Sequence, residues 1–110
     1  MTQTTSSMTC SRNDVVLLPI PFTDLTSRKV RPAIVVGKKE MDLFLVPISS
    51  VLANTDFPIK EWRATGLNVP SGVKAQLATV AERLVVKIVG QLSAKDSGIL
   101  DGRLRNWLQL

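Results

Sequence analysis

The chain has 110 residues, 45% of them hydrophobic, and a net charge of +5 with a pI near 9.9, which is one domain's worth of ordinary globular protein. No run approaches the ~18 apolar residues that a spanning helix needs. A single cysteine, Cys10, excludes an internal disulfide framework, and the absence of histidine removes the usual imidazole acid, base and metal ligand.

The charge excess is local. Residues 12–39 hold six basic against two acidic side chains, and residues 40–110 hold eight against seven. A basic domain with its excess in one segment is a candidate for a polyanion partner.

Residues 1–12 are rich in Ser and Thr and have no apolar signal-like stretch, so they read as a disordered N-terminal tail carrying an exposed Cys10. Met8 within it is a candidate translation start, and residues 13–110 read as one domain. Asp14–Ile20 is a strand, stopped by Pro19 and Pro21. A polar loop from Phe22 to Val30 follows, with Thr23, Asp24, Arg28 and Lys29. Arg31–Gly37 and Asp42–Ile48 are apolar strands joined by a tight turn, which is a hairpin pattern. Asp56–Lys60 reads as a weak fourth strand, Glu61–Ser71 as a loop, Gly72–Val80 as a fifth strand and Leu84–Leu92 as a sixth. Ser93 is a helix N-cap with Asp96 three positions on, and Ile99, Leu100, Leu104, Trp107 and Leu108 recur at helical spacing. Five or six short strands and one C-terminal helix favour a mainly β fold, a small curled antiparallel barrel with the helix packed on it.

Three stretches carry a more specific signal: Asp14-Val15-Val16-Leu17-Leu18-Pro19-Ile20-Pro21-Phe22-Thr23-Asp24-Leu25, then Arg31-Pro32-Ala33-Ile34-Val35-Val36 preceded by Lys29, then Gly90-Gln91-Leu92-Ser93-Ala94-Lys95-Asp96. In this order they resemble the MazF/PemK family of toxin endoribonucleases from bacterial toxin–antitoxin systems, over residues 13–110. The resemblance implies an SH3-like (CcdB/MazF-like) antiparallel barrel and a homodimer that binds single-stranded RNA in a groove at its interface. It implies cleavage at short sequences, without metal or other cofactor, to 2′,3′-cyclic phosphate and 5′-hydroxyl ends. A cognate antitoxin would inhibit, DNA would be met only through the antitoxin complex, and the location would be cytoplasmic with no membrane partner.

In that chemistry the substrate's own 2′-hydroxyl attacks, and the protein aligns it and stabilises charge on the phosphorane. The resemblance puts Arg31 and Ser49 in the catalytic positions. A guanidinium fork engages two phosphate oxygens, and a hydroxyl donates to a non-bridging oxygen as charge develops. Thr23, Arg28, Lys29, Ser50, Lys74 and Gln76 are the implied RNA-binding residues; Lys74 and Gln76 lie on the fifth strand, and the Gln76 amide suits a base edge. Three positions depart from the family's pattern: Asn13 where Gly is usual, of little consequence outside a strained turn, Val51 where a polar residue is usual, and Ala78 where Arg is common. The last two losses keep open a catalytically inactive barrel that binds nucleic acid or peptide. A gyrase-poisoning toxin of related fold, resting on Trp107 and Leu110, is a further alternative. Ser49 and Ser50 could instead serve local backbone bonding. Trp107 reads as packing and Trp62 as the one plausible base-stacking aromatic.

Overall fold

The computed structural model describes residues 8–19 and 29–110. Seven strands, β1 (Asp14–Pro19), β2 (Val30–Lys39), β3 (Asp42–Ser49), β4 (Phe57–Pro58), β5 (Gly72–Val73), β6 (Ala78–Ala81) and β7 (Lys87–Gln91), precede one helix, α1 (Ala94–Leu108). All pairings are antiparallel, in the order β4-β5-β3-β2-β1-β7, with β6 also on β3. The mainly β fold with a C-terminal helix stands, but the sheet is open: among the described residues no ladder joins β7 to β4 or β6.

Why the three long strands are apolar throughout, rather than alternating, follows from what covers them. Val16, Leu18, Ala33, Val35, Leu43 and Leu45 point to one face and bury a first cluster with Cys10 and Val85. Val15, Ile34, Val46 and Ile48 point to the other and pack with Phe57, Ile59, Val73, Leu92 and Leu100. A sheet buried on both faces shows no period-two polarity. α1 closes the second face through Leu100, with Ile99, Leu104 and Trp107 partly buried beside it. No helix of the described residues is long and apolar enough to cross a membrane.

Asp96 fixes the start of α1. Its N–H donates to Ser93 Oγ at 3.1 Å, and its carboxylate, 1% exposed, accepts from the N–H groups of Lys60 (2.9 Å) and Glu61 (2.8 Å). The expected capping pair therefore also ties a distant turn to the helix.

Several expectations change. Cys10 is 3% exposed, not a surface residue. Its N–H donates to Glu82 at 2.8 Å, Arg12 pairs with Asp101, and Asn13 N–H donates to Val35 O at 2.7 Å, so this short segment is stitched to the sheet and helix. Burial, then the nearby Glu82 and Asp14 carboxylates, push the Cys10 thiol pKa up. Asn13 does sit in a strained turn, at φ 75°, in the left-handed region that Gly enters freely and Asn tolerates best among the other residues.

The weak fourth strand shrinks to two residues, and the Glu61–Ser71 loop holds a 3₁₀ turn at Trp62–Thr65. The sixth begins only at Lys87, after a 3₁₀ turn at Glu82–Leu84. The fifth splits in two. Val73 pairs with Ile48 and Ala78 with Leu45, so four residues (74–77) face only two on β3 (Val46 and Pro47). The surplus bulges outward, with Gln76 N–H turned back on Lys74 O at 2.8 Å. Lys74 and Gln76 are thus on a bulge rather than on a strand.

Candidate active site

The β2–β3 hairpin brings the two principal site residues together. Ala33 pairs with Pro47, Ile34 with Val46 and Val35 with Leu45. Continuing that register by two residues sets Arg31 opposite Ser49, and directly opposed residues project to the same side of a sheet. Both line one concavity of about 450 Å³, together with Ser50, Val51, Asn54 and Lys74. Pro32 and Pro47 form part of its wall.

β5 supports this corner from the other edge, where Ser49 pairs with Gly72. A Cβ on Gly72 would come within 2.5 Å of Thr55 Oγ1 and 2.8 Å of Phe57 O, so only glycine allows this approach. Lys74 N–H donates to Pro47 O at 3.0 Å, which anchors the bulge over the concavity.

Electrostatically the site is one-sided. Arg31 and Lys74 line it, no Asp or Glu does, and neither cation has an ion-pair partner among the described residues. Ser49 Oγ accepts from Val51 N–H at 3.0 Å. The local backbone bond expected of such a serine is therefore present, but it uses the oxygen and leaves the O–H able to donate. Two cations, two hydroxyls and no competing carboxylate suit a phosphate-type anion.

Of the other expected site residues, Ser50 and Lys74 line the concavity with Arg31 and Ser49. Lys29 is exposed just before β2 but outside the lining. Gln76 lies in a neighbouring concavity that shares Lys74 and Asn54 with the first. Thr23 and Arg28 lie outside the described residues. Asn54, which no sequence motif marked, belongs to both concavities. Of the departures, Val51 is exposed on the rim, whereas Ala78 faces Leu45 across β6 and β3 and lines neither concavity.

Trp62 is not a free stacking platform. Its ring packs on the second core cluster, and the Arg63 guanidinium lies 4.7 Å from its centroid. Trp107 is partly buried against the same cluster, as its helical spacing indicated. A separate concavity of about 460 Å³ lies between α1 and the sheet, lined by Val36, Phe44, Leu77, Leu104 and Leu108 among others. Its wall is largely apolar, and its Arg12 is paired with Asp101, so the anion-binding chemistry resides with Arg31.

The fold has solved counterparts. One is the Mycobacterium tuberculosis toxin MazF-mt6, at 17% identity and TM-score 0.69, covering 88% of this chain and 97% of that one. Another is described as an endoribonuclease in complex with its cognate antitoxin from mycobacterial species, at 13% identity and TM-score 0.65, covering 90% and 92%. No curated protein sequence matches the chain. The family model of the PemK-like, MazF-like toxins of type II toxin–antitoxin systems matches residues 11–108, and the chain belongs to that family.

Proposed function

We propose that the protein is an endoribonuclease toxin that cuts single-stranded RNA at short sequences. The observation that carries this reading is the convergence of Arg31, Ser49 and Lys74 on one concavity lined by no carboxylate. Family membership supports it, and so does the likeness in fold to a structure described as an endoribonuclease with its antitoxin.

In the proposed reaction the RNA's 2′-hydroxyl attacks the adjacent phosphorus, and the O5′ bond breaks. The products are a 2′,3′-cyclic phosphate and a 5′-hydroxyl. The nucleophile belongs to the substrate and the charge is met by side chains, so the step runs without a metal. Arg31 stays protonated, since its pKa lies above ~12, and acts as a donor to the phosphorane oxygens. Ser49 donates one further hydrogen bond to a non-bridging oxygen. Lys74, Lys29 and Ser50 hold the backbone, joined by Thr23 and Arg28 from the preceding loop. The working unit is a cytoplasmic homodimer restrained by a cognate antitoxin, and the apolar concavity beside Leu77 and Leu108 offers surface for protein partners.

The test is end analysis of a defined single-stranded RNA incubated with the protein in a chelator. The expected products carry 5′-hydroxyl and cyclic phosphate ends, and Arg31→Ala abolishes them. RNA bound but uncut would overturn the reading in favour of an inactive binding module. Supercoiling inhibition without RNA loss would favour the gyrase alternative. That alternative is already weakened, because Trp107 is committed to the core while Leu110 is 83% exposed.

A further inference from the structure

The bulge between β5 and β6 does more than present Lys74. On its other side lies a second concavity of about 360 Å³, bounded by Asn54, Thr55, Asp56, Lys74 and Gln76. Ala53 and Ala75 line the remainder with side chains too short to fill it.

The polar groups there divide cleanly. Thr55 Oγ1 donates to Leu52 O at 2.6 Å, and the Asp56 carboxylate is held by Arg103 at 2.8 Å. Both are already engaged within the fold. The side-chain amides of Asn54 and Gln76 have no hydrogen-bond partner among the described residues. Each offers a donor and an acceptor side by side, the pattern that a nucleobase edge complements. Lys74 stands between the two concavities and lines both.

We propose that this second concavity is a nucleobase subsite, and that Asn54, with Gln76, is a specificity-determining residue. One extruded base next to the scissile phosphate enters it and meets the two amides, while Lys74 holds the intervening phosphate. The proposal deepens the RNA-cleaving reading and rests on it for the identity of the ligand. Asn54 and Lys74 then have separable duties, since phosphate contacts position the strand and base contacts specify it.

The experiment is equilibrium binding of uncleavable 2′-O-methyl pentanucleotides in which each position is varied through all four bases. Wild type is expected to discriminate between bases at one position by about five-fold or more, the lower end of what one good amide pairing gives. Asn54→Ala and Gln76→Ala are each expected to flatten that position to under about two-fold and leave the other positions unchanged. Lys74→Ala is expected to weaken all sequences alike, to reduce the salt dependence and to keep the base preference. The proposal is overturned if wild type shows no preference at any position, or if both amide variants keep it. It is also overturned if the amide variants weaken every sequence equally. Cleavage of the matching unmodified RNA is followed in parallel. Base-selective binding that depends on Asn54, without cleavage, would retain the subsite and discard the nuclease reading. Cleavage whose sequence preference survives both amide variants would do the reverse.

Discussion

Arg31 and Ser49, eighteen positions apart in the chain, are cross-strand partners in the register that pairs Ala33 with Pro47. Residue sums are constant along this part of the hairpin, so the pairing of three buried apolar couples places the two polar ends. The core therefore sets the site: a slip of one residue would turn Val35, Leu45 and Val46 out of their clusters, and the hydrophobic penalty forbids it.

Ser49→Ala is expected to lower cleavage at least ~10-fold by removing one donor to the transition state. The same hydroxyl oxygen accepts the Val51 N–H, but that group is exposed and water replaces the bond. The variant should therefore melt within a few degrees of wild type. Wild-type turnover at unchanged stability would show that the hydroxyl serves the turn alone.

Arg31→Lys keeps the charge but not the fork. A planar guanidinium binds two phosphate oxygens at once, whereas an ammonium is a point charge. The expected result is near-normal RNA binding with cleavage down by about 100-fold, comparable to losing one oxyanion-stabilising group. Binding titrations and single-turnover rates on the same RNA separate the two effects.

Acid stability should depend on Glu82. This residue is 5% exposed and accepts from Lys38 Nζ and Cys10 N–H, both at 2.8 Å. The lysine's hydrogen bond, and then that of the Cys10 amide, hold its pKa below the usual glutamate value against the opposing effect of burial. With the folded pKa depressed, the contribution is complete above the unfolded pKa and is lost as pH falls through the folded one. Lys38→Met is expected to be clearly less stable than wild type at pH 7, and the gap should narrow as the pH is taken down through the carboxylate range. Urea midpoints at pH 7 and pH 3 check this; an equal gap at both would show that the ion pair is not responsible.

Asp96→Ala removes two hydrogen bonds to a buried carboxylate and one half of a helix cap. The expected loss is about 3 kcal/mol in denaturant unfolding. Hydrogen exchange should accelerate first at the Lys60 and Glu61 amides, which lose their acceptors. Unchanged protection there would contradict the assigned role.

What the sequence made legible follows from how local each signal is. The runs in β1, β2 and β3 and the Ser93–Asp96 cap are local and strong, and their elements formed where expected. β4, β5 and β6 span two to four residues and exist only through pairing with β3 or with each other, so no local pattern delimits them. The bulge at 74–77 arises from a mismatch in residue count between two pairings, which sequence spacing does not display. Cys10 looked exposed because its neighbours are Ser and Thr; its burial depends on Glu82, 72 positions away. Arg31 and Ser49 were legible as a pair through family resemblance, while Asn54 carried no motif and emerges only from its position between two concavities.

Single-turnover cleavage of one defined RNA by wild type, Arg31→Ala, Ser49→Ala and the double variant tests the central claim most directly. Two donors on one phosphorane should be coupled, so the double variant is expected to lose less than the product of the single losses, with Arg31→Ala alone down at least ~100-fold. Arg31→Ala cutting at the wild-type rate, with the same product ends, would contradict the account.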